Sequence, residues 1–443
     1  MNYLIGLDIG TTAIKGALMT VDGNVSKTVS GGYNYFEGEN TKLLDPKEFV
    51  EVCFSVIKNL TDTLSKENNV LAICSCCASG NLLLLDKENN PITPIIGWQT
   101  VVSEEDKNNF FTSAEQEAFY EMVGWPLGCR FPALYLAAMK QHKPELVDNA
   151  SMVCMSAEYL NFALTGKWGI SQSMGTPFFL MNQEKGTYNA TLIEKLRISE
   201  EKLPPIYNKG TVLGKVLPEI ALKLGLSNDT KIVLGSFDHP SGAMGAGVFN
   251  EGEMLLSCGT SWVEFFPVSS REFAISTRGL VDRFMLDGSP YCVMKSITSI
   301  SEKIDALRYH YLGDISHKKY DDLAKAAPFG CNGLRFNFTD EDYCIDTKYT
   351  KSDIARAIIE GAAFILKSNL ESLEKCGLKA EKITMIGGIS NSKICVDIVS
   401  EVLERPVKVS NGQAAGALGA CLLAGIGVGI FENEKTAYKV IEK

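Results

Sequence analysis

Y3-L-I-G-L-D-I-G-T-T-A-I-K-G-A-L-M-T-V-D-G-N24 decides how the rest of the chain is read. Two apolar runs flank Gly10-Thr11-Thr12, which predicts a pair of strands folded back on each other with that tripeptide at the tip. Asp22-Gly23-Asn24 then turns the chain into a third strand. A helix follows, with Asp45 at its N-cap and Pro46 in its first turn. Phe49, Val52, Cys53, Val56, Ile57, Leu60 and Leu64 fall on one face of it. The next strand runs from Val70 to Ala78. The opening is therefore an α/β layer with a β-meander at its head.

The chain has 443 residues, enough for two or three domains at roughly 150 residues each. No run of about 18 apolar residues offers a membrane span. The net charge of −10 argues against nucleic acid or an anionic membrane as a main partner. Met1-Asn2-Tyr3 starts no basic, then apolar, leader, so a cytoplasmic protein is expected. Thirteen scattered cysteines, an odd number, read as free thiols in a reducing compartment. Cys74-Ser-Cys76-Cys77 raises the question of zinc. The cluster lies in an apolar strand, lacks a second Cys/His pair at zinc spacing, and the four histidines form no ligand set, so packed thiols are expected.

Residues 100–205 are more helical, with F131-P-A-L-Y-L-A-A-M139 and A157-E-Y-L-N-F-A-L164 the clearest helices. K231-I-V-L-G-S-F237 reads as a strand running into Asp238 and a small-residue helix, S241-G-A-M-G-A-G247. E253-M-L-L-S-C-G-T-S-W-V-E-F-F-P-V268 then repeats the opening pattern of strand, Gly-Thr-Ser tip and strand. The repeat is the trace of an internal duplication, with a domain boundary expected near 245–252. A long helix over 352–376, a strand K382-I-T-M-I386 entering Gly387-Gly388, a further helix, and a small-residue helix G412-Q-A-A-G-A-L-G-A-C-L-L-A-G425 complete the chain.

No G-x4-G-K-[ST] loop is present, so phosphates need another cradle. Tight turns rich in glycine and threonine supply one, because successive backbone N–H groups form an anion nest and hydroxyls add donors. Alone, Gly10-Thr11-Thr12 is an ordinary hairpin turn. Paired with the second tip, it is half of a grip on a polyphosphate. Asp8 is placed to hold Mg2+ through water, and Lys15 adds positive charge. Asp238, between a strand and a glycine-rich helix, either caps that helix or takes a proton from an attacking hydroxyl. Its place between the two tips favours the base.

L7-D-I-G-T-T-A-I-K-G16, S236-F-D-H-P-S-G-A-M-G-A-G247, L256-S-C-G-T-S-W262, I386-G-G-I-S-N-S392 and A414-A-G-A-L-G-A420 together resemble the FGGY carbohydrate kinases, of the actin-like ATPase and sugar kinase superfamily. The resemblance covers nearly the whole chain. It implies two actin-like (ribonuclease H-like) domains, 1–247 and 248–443, with a nucleotide- and sugar-binding cleft between them, and ATP and Mg2+ as cofactors. By that resemblance Asp8 is the magnesium-associated acid, and Thr11, Thr12 and Lys15 face the phosphates. Gly259 and Thr260 form the second phosphate loop, Gly387, Gly388 and Ser392 lie by the adenosine, and Asp238 is the catalytic base. The partner is a small-molecule sugar or polyol, and the chain a monomer or homodimer.

The acceptor stretch departs from the family. Many relatives carry Gln-Met-His-Gly where this chain has A78-S-G-N81, and Trp-x-Asp-x-Arg where it has W98-Q-T-V-V102. C129-R-F-P-A-L-Y135 and P94-I-I-G-W98 look more like the fuculose and rhamnulose kinase branch. Ser79, Asn81, Trp98, Gln99 and Arg130 are the acceptor-site candidates. Plain packing is the alternative for each, and most of all for Trp98. Two other functions stay open: a superfamily ATPase acting by conformational change (filament, chaperone-like or activator), and a kinase-derived sugar sensor.

Overall fold

A computed structural model describes residues 1–38, 41–65, 67–78, 80–286, 288, 290–338, 345–410 and 414–442. The chain forms two compact units. One comprises Met1–Gly247, Leu280–Tyr291 and Gly416–Lys443, and the other Val248–Gly279 and Cys292–Ala415.

In the first unit, strands β1 (Asn2–Ile9), β2 (Ala13–Thr20) and β3 (Val25–Gly32) form the expected meander. Helix α1 (Pro46–Thr61) follows, and strands β4 (Asn69–Cys77), β5 (Val212–Lys215) and β6 (Lys231–Val233) complete a sheet in the order β5-β6-β4-β1-β2-β3. β1 is antiparallel to β2 and parallel to β4, with Asp8 opposite Lys15 on one side and Cys76 on the other. α1 begins as expected: the Asp45 carboxylate accepts from the backbone N–H groups of Lys47 (2.8 Å) and Glu48 (3.0 Å), satisfying donors that have no partner within the helix. It ends at Thr61, so Leu64 lies beyond the face on which it was counted. The Thr61 hydroxyl instead donates to the Leu224 carbonyl at 2.6 Å, and Asp62 takes the C-cap.

β6 is shorter than the strand expected over 231–237. At Gly235 the backbone presses so closely on β4 that a β-carbon would lie 1.8 Å from the Ser75 carbonyl oxygen. Pairing with β4 resumes only as a single bridge between Cys77 and Phe237. Helix α2 (Asp238–Ala246) starts at once.

The second unit places strands β7 (Glu253–Cys258), β8 (Trp262–Val268) and β9 (Tyr291–Ile297), then helix α3 (Lys351–Lys375), then strands β10 (Lys382–Gly387) and β11 (Val407–Val409). The strands lie in the order β9-β8-β7-β10-β11. β7 is antiparallel to β8 and parallel to β10, which is parallel to β11. This matches β3-β2-β1-β4-β6 of the first unit strand for strand, so the repeated Gly-Thr hairpin marks a repeat of topology.

Helix α4 (Ala415–Gly427) belongs to the first unit from Gly416 onward. Gly412 and Gln413, expected within it, lie outside the described residues. Its small residues let backbones meet. A β-carbon on Gly6 would fall 1.9 Å from the Ala417 carbonyl oxygen, and one on Gly419 would fall 1.9 Å from that of Ser241. Among the described residues no helix is long and apolar enough to cross a membrane.

Candidate active site

The end of β1, the start of α2 and the first turn of α4 meet around Asp8. The Asp8 carboxylate accepts a weak hydrogen bond from the Cys76 thiol (Sγ to Oδ1, 3.6 Å). The Gly416 carbonyl accepts from Ser241 Oγ (2.9 Å) and from the same thiol (3.5 Å). A β-carbon at 416 would stand 2.4 Å from Asp8 Oδ2. Burial pushes the Asp8 carboxyl up to about 6, and the negative charge of Asp238 adds to the effect. Lys15 and the Cys76 thiol pull it partly back. A carboxylate whose ionisation a second carboxylate opposes marks a place where a cation or a proton belongs.

Asp238 is the first residue of α2, and its Oδ1 accepts from the His239 backbone N–H at 2.8 Å. Burial raises its carboxyl above the ordinary range, against the opposing pull of the nearby His239 ring and backbone N–H groups. The Asp238 side chain keeps about a quarter of its surface exposed. It is thus reachable and more basic than a free aspartate.

The first tip is braced from both sides. Gly10 N–H bonds the Ala13 carbonyl (3.1 Å), and the Tyr33 hydroxyl donates to the Gly10 carbonyl. Thr11 Oγ1 accepts from Trp98 Nε1 at 3.1 Å, which leaves the threonine proton free to donate. Thr12 is exposed at the apex, and Lys15 is half-buried across from Asp8.

Trp98 is half-buried rather than core, with the Arg130 guanidinium 5.7 Å from its ring centre, a cation–π arrangement. Arg130 precedes Phe131, whose φ of 81° and ψ of 160° lie in a region costing a non-glycine residue about 1–3 kcal/mol. The Phe131 ring is held by stacking on Phe179 (4.7 Å) and by the edge contact of Trp125 (5.4 Å). That aromatic clamp is the compensation for the strain. Gln99 lies half-buried beside Trp98. The Asn81 side chain is engaged elsewhere. Its Oδ1 accepts from Ser156 N–H (2.7 Å) and its Nδ2 donates to Ser156 Oγ (3.0 Å), fixing the start of the helix Ser156–Thr165. Ser79 lies outside the described residues.

In the second unit the hairpin tip and the double glycine are side by side, with Cys258 level with Gly387. Gly387 has φ +100°, and a β-carbon there would fall 2.2 Å from the Cys258 carbonyl oxygen, so only glycine fits. Around Gly388 nothing lies within 4 Å of the place a β-carbon would take, which leaves room for a flat group against the backbone. The Gly259 carbonyl accepts from Ser301 Oγ (2.7 Å), and the Thr260 carbonyl accepts from Ser301 N–H (3.2 Å). Ser392 caps the helix Lys393–Leu403 and donates to Asp321 at 2.8 Å; its hydroxyl is already committed.

Several neighbours of these residues carry no signal of their own in the sequence. Gly416 stands in a stretch marked for close packing, but nothing local ties it to Asp8. Tyr33, Cys76 and Phe131 reach the site through register and strain that residue type alone does not reveal.

Residues 3–245 match the family model described as the FGGY family of carbohydrate kinases, N-terminal domain, and residues 305–428 match its C-terminal domain. A xylulose kinase of Staphylococcus epidermidis is 25% identical over 99% of this chain and 91% of its own length. A gluconokinase of Bacillus subtilis is 23% identical over 95% of this chain and 87% of its own. A ligand-bound xylulose kinase of Lactobacillus acidophilus superposes with a TM-score of 0.89 at 24% identity, covering 99% of this chain and 92% of that one. Its fold is the same.

Proposed function

Because the chain belongs to the FGGY family of carbohydrate kinases, matching both of its domain models, we propose that it transfers the γ-phosphoryl group of ATP to a hydroxyl of a free sugar, polyol or sugar acid. The observation that carries this reading is the Asp8–Asp238 pair. One carboxylate sits at a strand end beside the Gly-Thr tip, and the other sits, reachable and raised in basicity, at a helix start. Asp238 acts as general base. It takes the proton of the acceptor hydroxyl as that oxygen attacks the γ-phosphorus, and the bond to the ADP oxygen breaks.

The backbone N–H groups and hydroxyls of Gly10, Thr11 and Thr12, with Lys15, bind phosphate oxygens, and Gly259 and Thr260 do the same from residues 248–443. Gly387 and Gly388 receive the adenosine. Of the three adenosine-side residues Ser392 is the least available, since it is bound to Asp321.

Asp8 fits Mg2+. It is a half-buried carboxylate whose charge is disfavoured by a second carboxylate, and a hard cation that prefers carboxylate oxygen and retains water relieves that cost. Among the described residues no group of three metal-ligating side chains exists, consistent with an ion held by one carboxylate, water and the substrate's phosphates. Bound there, the ion neutralises charge on the transferring phosphoryl group.

Xylulose kinase and gluconokinase among the relatives support a pentulose or an aldonate as acceptor. Trp98 offers an apolar face and Arg130 a fixed positive charge to such a molecule. A panel of pentuloses, hexuloses, polyols and aldonates, assayed for ADP release above the acceptor-free rate, tests the proposal. One strong stimulator is expected. A flat response across the panel sinks it in favour of an acceptor-independent ATPase or a sensor.

A further inference from the structure

α2 starts without the usual support. The N-cap residue is Phe237, whose side chain makes no capping hydrogen bond, although a Ser, Thr, Asp or Asn ordinarily ties down a first turn. The peptide that carries Asp238 is held through its backbone instead. The Phe237 carbonyl accepts from Ser241 N–H (3.2 Å), and residue 237 bridges to Cys77. The Phe237 N–H donates to Ser173 Oγ at 3.2 Å. That hydroxyl donates in turn to Asp282 Oδ2 at 2.8 Å.

Both side chains are sealed from water, Ser173 at 2% and Asp282 at 0% exposure. The other Asp282 oxygen accepts from Arg283 N–H at 2.7 Å. The Thr176 hydroxyl also bonds the carboxylate, and Gln183 Nε2 steadies Thr176 Oγ1 at 3.1 Å. The chain of bonds has one direction, from Phe237 N–H through Ser173 O–H to a carboxylate that can only accept. When Asp282 is ionised, its charge strengthens each link before it.

We propose that Ser173 and Asp282 are positioning residues for Asp238, holding the Phe237–Asp238 peptide so that the base meets the acceptor hydroxyl. The inference rests on the base reading of Asp238. It gives a role to residues from the helix Gln172–Phe178 and the strand Leu280–Arg283. A buried carboxylate there is costly to stability, since burial pushes Asp282 up to about 7. An apolar pair would fill the same space without that cost.

The test uses the full chain with the acceptor found in the panel. Ser173→Ala lowers kcat about 10- to 100-fold, the scale of a small misplacement of a reacting group, with acceptor KM and nucleotide affinity within about twofold of the parent. Ser173→Cys, a donor that accepts only weakly, falls between, and Asp282→Asn, which sets an amide against incoming donors, falls at or below Ser173→Ala. Asp238→Asn in the same assay separates the two ideas. If Asp238→Asn is inactive while Ser173→Ala keeps the parent kcat, the positioning role is wrong and the base stands. If Asp238→Asn turns over normally, the base reading fails and takes the positioning role with it. Hydrogen exchange over residues 234–244 needs no acceptor: Ser173→Ala should exchange at least about tenfold faster there. Unchanged protection overturns the proposal.

Discussion

Gly416 and Asp8 are in contact so close that a single methyl at 416 would stand 2.4 Å from the Asp8 carboxylate oxygen Oδ2 and 2.6 Å from its Cγ. α4 therefore sets the wall against which Asp8 is held. Three residues on, Gly419 makes the same kind of approach to the carbonyl oxygen of Ser241, at 1.9 Å for a β-carbon. The two glycines differ in what a methyl would displace. At 416 it is a short side chain that can rotate; at 419 it is backbone.

Gly416→Ala should therefore cost activity more than stability. Turning the Asp8 carboxylate away removes the group proposed to hold Mg2+, and about a 100-fold loss of kcat/KM is expected, the scale of a misplaced catalytic group. Gly419→Ala should instead destabilise by about 1–3 kcal/mol through overpacking. Urea midpoints and steady-state rates on both variants check the contrast. Equal stability losses with equal activity would remove the special role of Gly416.

Ionisation of Asp8 gives a second expectation. Its carboxyl is held near 6, so it is charged at pH 8 and increasingly neutral below pH 6. A neutral carboxyl is a poor Mg2+ ligand. The Mg2+ concentration needed for half-maximal transfer should rise by up to about tenfold per pH unit once the pH is below 6. In Asp8→Asn that part of the pH dependence is absent, leaving only the part that belongs to ATP itself. Parallel Mg2+ titrations of both proteins at pH 5 to 8 read the difference, and superimposable pH dependences would falsify the role of Asp8.

The fold was legible because its signals are local. The Gly-Thr tips and the Asp45-Pro46 helix start each follow from alternation and capping within a few residues. The second hairpin was legible for the same reason, and its strand order repeats that of the first. What escaped is non-local. Asn81, read as a sugar contact, is spent on Ser156, 75 residues away. Ser173 and Asp282 are 109 residues apart and share one hydrogen bond. Phe131 adopts a backbone conformation that only its aromatic clamp explains. Periodicity carries no information about such partners.

Trp98 links the acceptor candidates to the first tip, through its Nε1 bond to Thr11 and its ring beneath Arg130. Trp98→Phe keeps an aromatic face for Arg130 but deletes the donor. Acceptor KM should rise about 3- to 10-fold, in keeping with the loss of one neutral hydrogen bond. Nucleotide affinity should fall less, because Thr11 keeps its own proton for a phosphate. Trp98→Ala, which removes the face as well, should raise acceptor KM further. An acceptor KM untouched by either change would return Trp98 to the role of packing.

Glu158 gives a prediction about stability rather than catalysis. Its side chain is buried at 1% exposure, and it accepts the Met155 backbone N–H at 3.1 Å. Burial outweighs that hydrogen bond and pushes the carboxyl up to about 7 from 4.5. The folded chain therefore binds a proton at Glu158 that the unfolded chain has already released between those two values. Stability from this group is fullest below about pH 4.5 and falls as pH rises to 7, after which the loss is constant. Glu158→Gln keeps an acceptor for Met155 N–H and has no charge to desolvate. It should be more stable than the parent at pH 8, by at most about 3 kcal/mol for a shift of this size, and close to it at pH 5. Asp282 and Glu264, also buried and raised to about 7 and about 8, push the parent the same way, so the variant flattens the slope without abolishing it. Urea midpoints at pH 5 and pH 8 decide: if the gap between variant and parent is the same at both, burial of Glu158 adds no cost to its ionisation and the prediction fails.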